Sequence, residues 1–514
     1  MDTVLVDPFK AVFATLSDAL VGVNVVSDIC AVTDRDRKVD HARSEKTSDC
    51  AVRTRWYGGQ SRSDSGLGAR IAMDLSEIYR RFYRNAGLLL GSRVVFGLLN
   101  LATMTLALRH YGLVDLGMLL LLQSYTRLFA EIVKFNSWQA MLRYGSLLEE
   151  SNESLKFRNL MGFVITVDLL AASLATACAI LLIPYAASWF EWPENVASFA
   201  PFFVFAIFFI TQGAHTGVLR LYDRVGAVVM QHSLNASVRF VLVGLLILFD
   251  ADFFFVVLAW FFAFVAGGLW PMAAFMQEVL KRDAMPKFTW AWIRAAREFQ
   301  GIWRFLFLTN LSSFPTLVVQ NGATMMLGGA VGPAAAAVYE VARQFSSAIS
   351  RPIRMLGPII FPEFARLTAR KEWGKIRAIF KRQIALTFLL ASALTVILMI
   401  ALPLLVDQLF GAEVADHLWL FRLLIIGAMI SLLGFAIQPA FLSANKAGTM
   451  LALQVIATAV FIGSAFVGYL AWGLDGTGFG LVGYAVTLQT CSLLIGRRLL
   501  QKRIRRVRDG ESKV

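Results

Sequence analysis

The chain has 514 residues, of which 57% are hydrophobic and only 16% charged, and its mean hydropathy is +0.62. A soluble domain carries roughly 25% charged residues, so a string of soluble domains is excluded. The net charge of +14 does not point to nucleic acid, because the basic residues sit in short connections between apolar runs and in the C-terminal tail. The inner membrane surface is the partner that this placement fits.

In chain order, residues 1–72 differ from the rest. They mix charges, Gly and Ser, and the apolar run from Ala11 to Val32 is broken by Asp18, Asn24, Ser27 and Asp28. There is no basic start, apolar centre and cleavage site of a signal peptide. The expectation is a disordered tail or an over-read start, with the native start near Met73. From Ser76 the chain enters apolar runs of about twenty residues, the length that crosses a bilayer as a helix. Twelve spans are predicted. The first six are 88–108, 113–134, 158–183, 199–219, 226–249 and 252–277; the second six are 302–327, 332–357, 380–406, 418–442, 450–472 and 478–498. No alternating ten-residue pattern of a membrane β-barrel is present.

Alternate connections fix an orientation. One set holds 32 Lys and Arg, counted from Arg70 before the first span, through the adjoining span ends, to the tail from Arg497; the other set holds one, Arg109. Basic residues stay in the cytoplasm, so both termini are expected inside an inner (cytoplasmic) membrane. The two sextets also resemble each other. The spacing from Arg158 to Pro184 equals that from Arg377 to Pro403, and each half then reaches a tight polar turn, ending at Gly226 and Gly448. Six is even, so the halves run parallel about an axis along the membrane normal, a common transporter plan. The expected units are residues 1–72, a bundle over 73–277, a cytoplasmic linker over 278–301, a second bundle over 302–498, and a basic tail over 499–514.

Arginine at a helix centre costs roughly 2.5–3.5 kcal/mol on insertion scales, yet several fall inside the spans. Arg93, Arg127 and Arg354 are near enough to an inner end to reach the surface in part; Arg239 and Arg343 lie near mid-span. On span two, Gln123, Arg127, Glu131 and Lys134 share one helix face; on span eight, Glu340, Arg343, Gln344, Ser347, Arg351 and Arg354 do the same. These spans are repeat partners, so their faces are expected to line one basic cavity between the halves. Guanidinium groups suit a diphosphate, because their planar donors bind two oxygens at once. The other reading is pairing with Glu131 or Glu340, which leaves neutral helix faces. Asp168 in span three is a candidate for ion coupling, with Glu131 and Glu340, or a partner for a neighbouring Ser or Thr. Gln212, His215, His232 and Asn235 are further polar residues of spans four and five. Pro315 in span seven, flanked by Asn310, Gln320 and Asn321, is a candidate hinge.

Some residues carry a resemblance. Leu106-Ala107-Leu108-Arg109-His110-Tyr111-Gly112 followed by Gly117, then Val331-Gly332, Val338-Tyr339, Ala342-Arg343, Pro358 and Pro362 before a basic loop, resemble the Wzx-type O-antigen flippases. That family belongs to the superfamily that also holds the multidrug-extruding MATE transporters. The resemblance spans about residues 76–500; residues 1–72 have no counterpart, and Tyr111 stands where an aliphatic residue is usual. It implies an all-α fold of two parallel six-helix repeats. It also implies movement of a lipid-linked oligosaccharide on a polyprenyl diphosphate carrier to the outer leaflet, for O-antigen, lipopolysaccharide or exopolysaccharide. A polysaccharide polymerase and export proteins are the partners implied.

Neither a phosphate loop, a metal-ligand spacing nor a nucleophile turn is present, and Cys30, Cys50, Cys178 and Cys491 form no framework. No cofactor, metal or covalent chemistry is expected. Two other functions compete. A MATE-like drug or cation exporter needs acidic groups, which spans one and seven lack; a membrane-embedded polysaccharide polymerase usually has a large outer loop, which this chain lacks.

Overall fold

The structure is a computed structural model that describes residues 65–151, 153–286, 299–354, 373–434, 441 and 447–508. The chain divides into two units, Met1–Ser76 and Glu77–Val514, and the second holds the helical bundle. The first 64 residues, the middle of the expected linker and Pro358 and Pro362 lie outside the described residues. Among those described there is no strand.

Helix α1 (Ser65–Val133) turns at Gly112, where φ is 86°, a conformation open to Gly because it has no Cβ. Its two limbs cover predicted spans one and two. After a break at 134–136, α2 (Ser137–Glu150) continues span two, and α3 (Ser154–Trp189) forms span three. Span four comes in pieces, α4 (Glu194–Val204), α5 (Ile207–Ile210) and α6 (Gly213–Leu221), with a gap at Thr211 and Gln212. Helices α7 (Val225–Leu248) and α8 (Phe253–Lys281) close the first half. The second half opens with α9 (Ile302–Leu317), a π-helical turn at Val318–Gly322 and α10 (Ala323–Ala330). Gly332, with φ 115°, turns the chain into α11 (Pro333–Arg354). Then come α12 (Trp373–Phe410), α13 (Ala412–Ala415), α14 (Leu418–Leu432), α15 (Ala447–Gly476) and α16 (Phe479–Arg508).

Among the described residues nine helices are long and apolar enough to cross a membrane, so this is a multi-pass membrane protein. The first of the nine, Val95–Glu149, includes the Gly112 turn and so spans two predicted crossings. Where the eighth and tenth are expected stand α11, which is polar on one face, and the shorter Leu418–Leu432.

Helix ends differ from expectation. Residues 137–150, expected as loop, form α2, and α16 runs on to Arg508 through the expected tail. Hydropathy marks the thickness of the bilayer, whereas a helix can continue into water. Pro184 and Pro403 do not end their helices; α3 runs to Trp189 and α12 to Phe410. Each proline removes one backbone bond, and in lipid no water competes for the bonds that remain.

The halves meet along a seam between the second limb of α1 and α9–α11. Gly117 packs on the Pro333 backbone and Leu121 on Gly328. Further along, Asn310 Nδ2 donates to the Ile132 carbonyl (2.8 Å), and Asn136 Nδ2 donates to Ser313 Oγ (2.8 Å) and the Thr309 carbonyl (3.2 Å). Lipid tails are as apolar as Leu, so helices in a bilayer associate through small residues and polar bonds. A Cβ on Gly117 would overlap the Pro333 carbonyl oxygen, whereas one on Gly463 in α15 would meet open space. We therefore expect Gly117→Ala to lose about 1–3 kcal/mol, the usual cost of overpacking. Gly463→Ala should be neutral; the check is thermal stability of both variants in detergent.

Candidate functional site

Arg239 sits on α7 and is 4% exposed. Its Nη1 donates to Asn100 Oδ1 (3.1 Å) and its Nη2 to Asn235 Oδ1 (2.7 Å), while Nε is buried without a partner. The guanidinium carbon lies 4.6 Å from the centre of the Trp260 ring and 5.4 Å from that of Phe264. Trp260 is held in turn by Gln123, whose Oε1 accepts from the indole Nε1 at 2.8 Å. Asn235 is fixed by donating to the Ala263 carbonyl (2.8 Å). Every one of these partners is neutral. Among the described residues no carboxylate forms an ion pair with Arg239.

Arg127, on the second limb of α1, stands on the other arm of the same aromatic group, 5.6 Å from the Phe264 ring centre. Two cations thus share one ring, whose face attracts positive charge. Arg127 interacts electrostatically with Arg239, and across the seam with Glu340 and Arg343. The structure therefore brings three of the expected arginines, 127, 239 and 343, into one electrostatic neighbourhood.

Arg343 differs from the other two. Its Nε donates to Glu340 Oε2 (2.8 Å) and its Nη2 to Oε1 (2.5 Å), a two-point pair on adjacent turns of α11. Thr324 Oγ1 (3.0 Å) and Gln344 Nε2 (2.9 Å) complete the shell of Glu340, which is 3% exposed. The C-terminal half thus presents an arginine paired with its own glutamate, whereas among the described residues Arg127 and Arg239 form no ion pair, although Arg127 also feels Glu340 and Glu131. The side chains of Arg93, Arg351 and Arg354 lie outside the described part of the structure.

The remaining candidates are held as follows. Glu131 pairs with Lys134 at 3.0 Å. Asp168 is 9% exposed, and its Oδ2 accepts from Ser137 Oγ and from the Ala214 backbone N–H, both at 2.8 Å. It therefore caps the start of α6, where a broken span resumes and its first N–H groups lack internal partners, and it also accepts from the hydroxyl of the first residue of α2. Gln212 Oε1 and His215 Nδ1, beside that restart, are buried without partners. The carbonyl of Pro315 accepts from Thr458 Oγ1 (3.4 Å), and the π-helical turn follows three residues later, so this candidate hinge is also a point of irregular helix. At the tight turn after α6, Glu278 meets Arg224 (2.5 Å), Arg282 (3.7 Å) and Lys281 (3.9 Å). Burial pushes the Tyr222 phenol in that turn above its ordinary range, against the guanidinium of Arg282, 4.0 Å from its ring centre.

Trp260, Phe264, Asn100 and Ser137 escaped the sequence reading. A Trp or Phe in an apolar run carries no sign of which side it faces. Asn100 alone had a signal, a lone amide deep in span one.

No protein-family profile matches this chain. Solved structures do. A multidrug-resistance MATE transporter of the MOP superfamily, in an inward-facing conformation, superposes with a TM-score of 0.63 at 16% identity, over 81% of this chain and 95% of that one. The fold is that of the MATE transporters. A mutant of the Vibrio cholerae MATE transporter VcmN gives 0.56 at 14% identity, over 83% of this chain and 98% of its own. A MATE protein in a bent conformation gives 0.54 at 17% identity, over 83% and 96%. Among curated proteins, the inner membrane protein YghQ of Escherichia coli (strain K12) is 27% identical over 294 residues, 57% of this chain and 82% of YghQ.

Removing Arg343 would strand Glu340 in a buried site, and breaking a buried pair costs about 3–5 kcal/mol. Arg343→Ala is therefore expected to lose stability, and Arg343→Met with Glu340→Gln to recover most of it. Thermal unfolding of the single and double variants in detergent is the measurement.

Proposed function

We propose that this protein moves a lipid-linked oligosaccharide from the inner to the outer leaflet of the cytoplasmic membrane, by alternating access of its two halves. The observation that carries the reading is Arg239, buried on neutral and aromatic partners with one nitrogen free, and Arg127 beside it. A buried cation without a counter-charge is expensive in a membrane, and an anionic headgroup that binds there would supply the missing charge. A diphosphate fits the guanidinium fork, and the lipid tail stays in the bilayer. The MATE-like fold supports transport, and the name of YghQ supports the inner membrane. The resemblance to Wzx-type flippases supports the sugar cargo, with a polymerase and export proteins downstream.

An exporter of cationic drugs is the second reading. It is disfavoured because Glu131, Glu340 and Asp168 are all engaged by partners of this chain, while the uncompensated charges are basic. The same three acids are the groups through which an ion gradient would act. No covalent step is proposed.

In a strain lacking the protein, lipid-linked repeats facing the cytoplasm should accumulate. Restoring it with Arg239→Ala should leave translocation at least about tenfold low, the loss expected for a hydrogen bond to a charged group. Arg239→Lys should recover part, since it keeps the charge without the fork. Normal surface polysaccharide together with drug hypersensitivity in the deletion strain would sink this proposal in favour of drug export.

A further inference from the structure

Arg109 is the one basic residue in the connections on the outer side, and it reaches across to the other half. Its Nε donates to the Leu409 carbonyl (3.1 Å) and its Nη2 to the Gln408 carbonyl. These belong to the last turn of α12, where carbonyls have no partner inside the helix and the dipole is negative. A guanidinium there satisfies both needs at once. Elsewhere, Gly329 of α10 lies directly against the Trp189 indole at the end of α3; a Cβ on Gly329 would overlap it.

The internal repeat relates these two contacts. Gly112 and Gly332 are the positive-φ turns at corresponding places, and Arg109 and Gly329 each precede their glycine by three residues. Pro184 and Pro403 correspond likewise, and Trp189 and Gln408 each follow their proline by five. The same pair of positions therefore meets twice, once as guanidinium on helix-end carbonyls and once as indole on bare backbone. Between them Gly117 closes on Pro333, and just inward Leu121, fully buried, packs on Gly328.

We propose that Arg109 with α12 and Trp189 with Gly329 are the two clamps of an outer gate, which hold the halves together on the outer side and part once in each cycle. This rests on the alternating-access reading above. The clamps suit the task. Arg109 is exposed, so water can replace the carbonyls when the bonds break, and Trp189 is 67% exposed despite its contact. Neither clamp contains a buried charge that would have to be dragged through lipid.

The test uses the full chain with its four cysteines changed to Ser and Leu121→Cys added, labelled in intact cells with a maleimide that cannot cross the membrane. Only folded protein, monodisperse after extraction, is scored. The parent should label slowly. Arg109→Ala and Trp189→Ala should each raise the rate about tenfold, the scale of one hydrogen bond to a charged group or its packing equivalent. Arg109→Lys, which keeps the charge but loses the fork, should fall between and guards against a variant that fails to fold. If the parent labels and none of the variants is faster, the halves do part but these residues are not the gate. If the thiol introduced by Leu121→Cys is inert in every variant, the outer side does not open, and the alternating-access reading fails with the gate. Labelling that depends on the clamps in a strain without any glycolipid defect would uphold the gate and overturn the cargo.

Discussion

A bilayer core offers no water, so each polar group in it must find its partner within the protein. That constraint organises this molecule. Its helices are interrupted at 134–136 and at Thr211–Gln212, and each interruption leaves backbone groups that the helix itself no longer satisfies. Asn310 takes the Ile132 carbonyl at one break, and Asp168 takes Ser137 and the Ala214 N–H where both broken spans resume. Asn136, inside the first break, spends its own amide on α9. The irregular backbone is thus tied into the seam between the halves on one side and into α3 on the other.

Against that background Arg239 is the exception. The acids nearby are compensated: Glu340 has four donors, and Glu131 has Lys134. Arg239 has two amide oxygens and two aromatic faces, which ease the burial of a cation without cancelling its charge. The repeat makes the contrast sharper. The two halves share a plan, yet the second pairs its buried arginine with a glutamate of its own while the first holds Arg239 on neutral partners.

Much of this was legible in the chain. Most of the spans follow from apolar run length, and so does the connection at 109–112 where Gly112 turns the chain. The pairing of Glu340 with Arg343 was readable as an open alternative, because residues three apart share a helix face. The breaks were not readable. Neither Lys134-Phe135-Asn136 nor Thr211-Gln212 contains the Pro or Gly that punctuates a sequence. What makes them possible is distant, since Asp168 and Asn310 seal them from other helices. The aromatic lining was hidden for a related reason: in an apolar span Trp260 looks the same whether it faces lipid, core or a guanidinium.

The seam and the site have opposite chemistry, and that bears on how the fold could work. Along the seam the contacts are small and individually weak: glycine on backbone, single amide bonds, one exposed guanidinium on two carbonyls. The exposed guanidinium can exchange its two carbonyls for water at modest cost. The residues around Arg239 are the reverse. They are buried, mutually hydrogen-bonded and confined to the first half, drawn from both limbs of α1 and from α7 and α8. On the proposed reading, a site held within one half keeps its shape while the partner half moves past it. Across the seam Arg127 feels Glu340 and Arg343, which are already paired with each other.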